Sequence, residues 1–251
     1  MENTIDHRTM LELKRWNTPT ICNGLEQILT TGDVSCCVNI EETRDFMPQM
    51  GPMIGRAVTV VIEPSNAAHK ERGPCIWKEY REYIASQPGP KIVVIQDLDK
   101  PHVYGSFWGE VNANVHRALG CVGTITDGAV RDIDEMIDAG FKAIAKRLCV
   151  SHAHACPVRW GDPVEVFGTK VHPGELVHAD KHGLITIPRE DEGGILEAAR
   201  FMDSNECQTV IEAARSGQGV STEQLLTQMA EADVAFAQRT REKFQRAGEF
   251  G

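Results

Sequence analysis

Three apolar runs at crossover spacing constrain this chain more than any other feature. Lys91–Asp97 (KIVVIQD) is almost continuously apolar, the pattern of a strand buried on both faces. Residues 121–126 (CVGTIT) and 142–146 (KAIAK) repeat it. Residues 110–119 suit a helix ending at Gly120, and 132–139 suit a shorter one stopped by Gly140. Asp127-Gly128 reads as a turn. Parallel neighbours need a long return path, so alternating strands and helices predict a parallel sheet with crossover helices. The expected class is α/β with a parallel βαβ core.

The flanks are of two kinds. Residues 6–16 read as an amphipathic helix burying Met10, Leu11, Leu13 and Trp16. Thr18-Pro19 reads as N-cap and first-turn proline of a second helix, which carries Ile21, Leu25, Ile28 and Leu29. Residues 55–62 (GRAVTVVI) read as a strand and 66–87 as partly helical. From 157 to 188 short strands alternate with turns, predicting an antiparallel β region that Pro188 closes. Residues 190–204, 207–215 and 221–246 read as C-terminal helices, broken by SGQG at 216–219. Two units follow: 1–188 as the catalytic domain, and 189–251 as a helical extension packing on that domain or on a neighbouring subunit.

Composition narrows the function. The net charge of -10 comes with no basic stripe, which argues against a nucleic-acid partner. An acidic protein that binds an anion must gather positive charge locally. No apolar run approaches the roughly 18 residues of a membrane span, and Met1-Glu2-Asn3 does not open a signal peptide. The eight cysteines contain no CxxC, so neither a structural zinc site nor a disulfide scaffold is expected. Reduced thiols and a cytoplasmic location follow as expectations.

Ligands of open α/β sheets gather beyond the carboxyl ends of the strands. A helix of about 12 residues travels roughly 18 Å away from that edge, and a strand of about 6 residues returns roughly 20 Å. The 20 residues between Glu110 and Arg131 therefore bring both to one rim. That rim holds Glu110, Arg131, Asp132 and the loop Gly105-Ser106-Phe107-Trp108-Gly109. Carboxylates suit a hard cation, Mg²⁺ or Mn²⁺, that keeps several waters. Arg131 offers a planar fork for a substrate carboxylate, and N–H groups opening a helix hold anionic oxygens. Such a set would bind a 2-oxo acid and stabilise the enolate formed when the bond beyond its keto carbon breaks. The same Arg-Asp pair also fits a helix cap with a surface ion pair, so both readings stand at this point.

The run GTITDGAVRDIDEMIDAGF (123–141) resembles the signature of the RraA-like family. The likeness extends to GRAVTV (55–60), to FWGE (107–110) and to PVEVFGTKVHPGELVHADKHGLITIP (163–188), and covers roughly 18–206. The family includes 4-hydroxy-4-methyl-2-oxoglutarate aldolases with oxaloacetate decarboxylase activity, and regulators of ribonuclease E. The resemblance implies a β/β/α sandwich assembled as trimers or hexamers with sites between subunits. Its aldolase pattern is an acid, twenty residues, Arg-Asp, two residues, then an acid; Glu110, Arg131, Asp132 and Glu135 fill those places. By that resemblance Asp132 is the direct metal ligand and Arg131 grips the pyruvyl part. Glu110 holds a metal-bound water and aids proton transfer, standing where the best-studied aldolases have Asp. Residues 105–109 offer backbone N–H groups, and Glu206 is the candidate acid from a neighbouring subunit.

Weaker signals have simpler readings. His152 and His154 are spaced like ligands on a strand, and His172, His178 and His182 follow. A histidine site would favour Zn²⁺, but walling the substrate pocket is the better role for His152 or His154. Trp108 walls the pocket or fills core, Asp127 caps its turn, and Cys149 and Cys156 are buried small apolar groups. The function expected is a divalent-metal-dependent class II pyruvate aldolase or 2-oxo acid decarboxylase. Its substrate would be 4-hydroxy-4-methyl-2-oxoglutarate or an oxaloacetate-like acid. The rival is a non-enzymatic regulator that binds a ribonuclease. A methyltransferase is rejected, because no glycine-rich cofactor loop follows the first strands.

Overall fold

A computed structural model describes residues 5–246 and 248; Met1-Glu2-Asn3 lies outside them. Two helices, α1 (His7–Leu13) and α2 (Thr18–Ile28), precede a short strand β1 (Arg44–Asp45) and a long one, β2 (Met53–Ile62). The crossover region follows as α3 (Cys75–Ser86), β3 (Lys91–Asp97), α4 (Glu110–Ala118), β4 (Cys121–Val130), α5 (Ile133–Asp138) and β5 (Lys142–Leu148). Short strands come next: β6 (Arg159–Trp160), β7 (Val164–Val166), β8 (Thr169–Val171), β9 (Leu176–Asp180) and β10 (Gly183–Ile187). The chain ends in α6 (Glu192–Gln208), α7 (Val210–Ser216) and α8 (Thr222–Phe244).

The main sheet runs β1-β5-β4-β3-β2-β9-β10, with β6 also pairing on β2. The contacts β2–β3, β3–β4 and β4–β5 are parallel, whereas β9 and β10 join antiparallel. Alternation along each parallel strand explains its unbroken apolar sequence. Val58, Val60, Val93, Ile95, Ala143 and Ala145 face a cluster closed by Tyr80 and Ile84 of α3, Ala113 of α4 and Met136 of α5. Ala57, Val61, Ile92, Val94 and Ile144 face the other way, onto Val164, Val166 and Val171 of the β7–β8 hairpin. Helices, sheet and hairpin make three layers, the β/β/α sandwich expected. A third cluster joins Leu13, Ile21 and Leu25 to Ile185, Ile187, Ile195 and Ala199, seating α6 on α2 and β10. Arg56 and Glu192 form a buried ion pair that ties β2 to the first turn of α6.

Two local expectations are corrected. Asn17, not Thr18, caps α2 by accepting the Thr20 N–H at 2.9 Å. Thr18 is the first helical residue, and its hydroxyl pairs with His178 Nδ1 at 3.0 Å. Asp127-Gly128 is no turn but lies within β4, which runs on to Val130 with a register break between Thr126 and Ala129. The strand tolerates Asp127 because its carboxylate accepts from the Asp97 N–H at 2.7 Å and the Lys100 ammonium at 2.8 Å. The extension carries Arg131 and Asp132 to the sheet's outer rim.

Candidate active site

Asp132 occupies the N-cap of α5 at φ 54° and ψ 49°, the left-handed region. A non-glycine residue is held there at a cost of about 1–2 kcal/mol, with Asp among the more tolerant types. Its side chain makes no cap bond to its own helix. Oδ2 instead accepts the backbone N–H of Glu110 at 3.1 Å, at the first turn of α4. Arg131 Nε lies 3.7 Å from the same oxygen, and Arg131 Nη1 donates to the Val150 carbonyl at 3.2 Å. Those two contacts orient the guanidinium and leave Nη2 without an acceptor among the described residues.

Two glycines make room for this arrangement. A Cβ on Gly109 would stand 2.5 Å from Asp132 Oδ2. A Cβ on Gly105 would meet Ala153 Cβ and the His152 carbonyl, each at 2.7 Å. Gly109 is also the N-cap of α4, so N–H groups of Gly109, Val111 and Asn112 remain from the first turn after Asp132 takes that of Glu110. Asn112 is anchored by its amide, which donates to the Phe107 carbonyl at 2.6 Å.

Within the loop 105–109, Ser106 has an internal role. Ser106 is buried, its N–H donates to the Ser151 carbonyl at 3.0 Å, and its hydroxyl accepts from Trp108 N at 3.0 Å. That hydroxyl is also 2.9 Å from the Ala129 carbonyl, which it faces as a donor. Ser106 and Trp108 thus brace the loop, and the open N–H groups run from its last residue, Gly109, into the first turn of α4. Phe107 and Trp108 are core rings, packed 5.3 Å apart edge to face. Behind them His116 donates from Nδ1 to the Asn112 carbonyl and accepts the Tyr80 hydroxyl on Nε2 at 2.9 Å. Burial pushes its pKa down to about 4, so it is neutral at pH 7.

These groups line a cleft of about 970 Å³. One wall is Ser106 to Asn112 with Arg131 and Asp132; another is α3, through Trp77, Lys78, Arg81, Glu82 and Ala85; His152 and Ala155 lie across from them. Glu110 is exposed within it, whereas Glu135 is exposed but does not line it. His152 is in the cleft wall and His154 is not. The sequence points to 63–90 and the histidine loop 149–156 as the likeliest determinants of the substrate; the α3 residues fall in the first of these, but no motif there singles out which side chains reach the cleft. Cys156 is buried as expected, but Cys149 is only half-buried and donates its thiol to the Ser151 carbonyl. All eight cysteines are free.

Among the described residues no three His, Cys, Asp or Glu side chains gather as a metal site. Asp132 and Glu110 nonetheless suit a cation that takes one or two carboxylates and keeps its waters, as Mg²⁺ does. One oxygen of Asp132 is fixed by Glu110 N–H, and no hydrogen bond from the described residues engages Oδ1. Glu206 stands apart from this cleft; its Oε1 accepts from Asn23 of its own chain at 2.9 Å. No helix of the described residues is long and apolar enough to cross a membrane.

Comparison with known proteins places these features. The family model RraA-like (Aldolase/RraA) matches residues 18–186. An uncharacterized protein of Methanocaldococcus jannaschii is 25% identical over 209 residues, covering 79% of this chain and 86% of that protein. A protein of Halalkalibacterium halodurans, provisionally named 4-hydroxy-4-methyl-2-oxoglutarate aldolase, is 25% identical over 141 residues, covering 56% of this chain and 65% of that protein. The crystal structure of Streptomyces coelicolor RraAS2, described as an unusual member of the RNase ES inhibitor RraA protein family, superimposes with a TM-score of 0.64. It is 20% identical and covers 80% of this chain and 95% of that one, which shows the shared fold. The family model spans all three crossover strands and the antiparallel region, and the chain belongs to the RraA-like family.

Proposed function

We propose that this protein is a divalent-metal-dependent lyase that releases pyruvate from small 2-oxo acids, by aldol cleavage or decarboxylation. The family covers both aldolase/decarboxylase members and ribonuclease regulators. One observation carries the choice: Asp132 is held in a left-handed conformation so that its carboxylate meets the start of α4 beside Arg131 and Glu110, inside the main cleft. Strain of this kind persists where the surroundings impose it, and it clusters at active sites.

The chain's own groups divide the work. Arg131 holds the substrate carboxylate through the Nη2 edge that its contacts leave open. N–H groups of the first turn of α4 face the developing negative charge, aided by the helix dipole. Asp132, with Glu110 through a water, would hold Mg²⁺ or Mn²⁺, whose bound charge polarises the 2-oxo oxygen. Glu110, exposed at the mouth, takes the hydroxyl proton of an aldol substrate as the bond between its third and fourth carbons breaks. It later returns a proton to the third carbon. A homotrimer or hexamer, with Glu206 of a neighbouring copy reaching the site, completes the proposal; exposed Leu226 and Val234 on α8 are surface that assembly would cover.

The test is pyruvate release from oxaloacetate and from 4-hydroxy-4-methyl-2-oxoglutarate with Mg²⁺ or Mn²⁺. Activity is expected to vanish with EDTA and return with either metal. Full activity after exhaustive chelation overturns the metal mechanism. No release from any 2-oxo acid, with tight capture of a ribonuclease, moves the protein to the regulators. Light scattering at micromolar concentration checks assembly, and a monomer removes Glu206 from the site.

A further inference from the structure

The cleft is far larger than its reactive corner requires. At about 970 Å³ it sits at the upper end of the roughly 300–1,000 Å³ of sites that bury drug-sized ligands. A three-carbon acid gripped by Arg131 fills a minor part. The lining also changes character across it. Arg131, Asp132, Glu110 and the open N–H groups make its polar corner; Trp77 and Ala85 of α3, Val111 of α4, and Leu119 just beyond it, supply apolar wall, beside the charged Lys78, Arg81 and Glu82 of α3. Val111 is 73% exposed, an apolar side chain left in water at the first turn of α4.

Trp77 is a fixed platform rather than a loose surface ring. It stacks on Phe107 with centroids 5.4 Å apart and planes 23° from parallel, and meets Tyr80 edge-on at 6.4 Å. Phe107 precedes Trp108 and Gly109, and Gly109 abuts Asp132. The aromatic floor is thus continuous with the charged corner. The charges of α3 that line the cleft have partners of their own. Lys78 pairs with Glu82 at 3.7 Å, both largely exposed. Arg81 rests over the Trp77 ring at 5.7 Å, near the outer limit of such contacts and readily displaced.

We propose that the cleft is a two-part site whose outer half, Trp77 with Ala85, Val111 and Leu119, binds an apolar, ring-bearing group of the substrate beyond the bond that breaks. This rests on the assignment of Arg131 and Asp132 above and deepens it. The substrate class becomes 2-oxo acids with an apolar tail, rather than the smallest members of the class. Rigid aromatic surface at the far end also supplies binding energy remote from the reacting carbons, which orients them.

Calorimetry with three probes in the presence of Mg²⁺ tests this: oxamate, N-benzyloxamate and N-(carboxymethyl)oxamate. All carry the same carboxylate and carbonyl; only the second extends an apolar ring. N-benzyloxamate is expected to bind at least about tenfold tighter than oxamate, the gain from burying a phenyl group. Trp77→Ala removes most of that gain and leaves oxamate affinity as it was. Because Trp77 packs on Phe107, a second variant guards against misfolding: Ala85→Glu, at an exposed helix position, charges the same wall and weakens only N-benzyloxamate. Equal affinity for oxamate and N-benzyloxamate overturns the proposal and leaves the reactive corner intact. So does tighter binding of N-(carboxymethyl)oxamate, which would make Arg81 or Lys78 an anion receptor. Failure of oxamate itself to bind removes the Arg131–Asp132 assignment first, and the outer half falls with it.

Discussion

The carboxyl edge of the parallel strands carries two sets of acids with opposite fates. Asp97, at the end of β3, and Asp127, within β4, are fully buried. Asp127 is spent on Asp97 N–H and Lys100, and Asp97 Oδ1 accepts the Asp99 N–H at 2.9 Å. Asp132 and Glu110 stand on the same edge but open to the cleft. Burial pushes the Asp97 carboxyl up to about 7 and raises that of Asp127. An acid after a strand is therefore no mark of an active site. What separates the sets is where their lone pairs go: inward to the fold's own N–H groups and lysine, or outward to a cavity. The backbone marks the difference too, since Asp132 is strained and Asp97 ends a regular strand.

The comparison breaks first at Asp132, where the largest effect is expected. Asp132→Gly should lose Mn²⁺ binding and drop pyruvate release to background. It should also melt no lower than the wild type, because glycine relieves the left-handed strain. Normal Mn²⁺ binding by this variant would place the metal elsewhere. Arg131→Ala comes next. The Arg131 side chain is 36% exposed, so removal should cost the lower end of the roughly 2–5 kcal/mol found for buried charge-assisted contacts, and the loss should show in oxalate affinity as well as in turnover. Arg131→Lys should recover only part, since an ammonium has no bidentate fork. Unchanged oxalate affinity in Arg131→Ala would end its role as carboxylate grip.

Gly109→Ala sharpens the comparison more finely. The added methyl lies 2.5 Å from Asp132 Oδ2 and must push that carboxylate away. Misplacement of about 1 Å commonly lowers turnover on the order of 10²-fold, with the fold otherwise kept. The check is kcat beside a melting curve. Wild-type kcat would mean that the Asp132 position is not used in the chemistry.

How much of this was legible in the sequence follows from the physics of each part. The crossover strands were readable because burial on both faces leaves an apolar run that hides no alternation. Lys91–Asp97 matches β3 residue for residue. Convergence of Glu110 with Arg131 and Asp132 was readable because helix rise and strand rise are fixed lengths. The run of β4 through Asp127-Gly128 was not, since only the tertiary partners Asp97 N–H and Lys100 make a buried aspartate tolerable in a strand. Ser106 looked like a ligand-facing loop residue; its bonds to Ala129 and Trp108 are invisible without coordinates. The α3 wall was legible only as a region, 63–90, because Trp77 joins the cleft by stacking on Phe107 and not through any spacing.

The smallest effect is expected from the buried set, and its sign is opposite to that of an ordinary paired carboxylate. Desolvation leads the shift of Asp97 from 3.8 to about 7; Asp99 and Asp127 add repulsion, while the Asp99 N–H and Lys100 oppose it. Its Oδ2 is buried with no hydrogen-bond partner, so no donor among the described residues offsets the charge on that oxygen. Between about pH 4 and 7 the folded protein keeps a proton here that the unfolded chain has released. Stability contributed by this group therefore falls as pH rises through that window and is flat above it. Asp97→Asn cannot ionise, so its melting temperature should decline less from pH 5 to pH 8 than the wild type's. The difference should be a few degrees, since about 1 kcal/mol moves the Tm of a chain this size by roughly 2–4 °C. Pyruvate release should be unchanged, because Asp97 does not line the cleft. Parallel melting profiles for the two proteins would show that Asp97 is ionised throughout the range. A large loss of turnover in Asp97→Asn would place it in the active site and erase the distinction between the two sets.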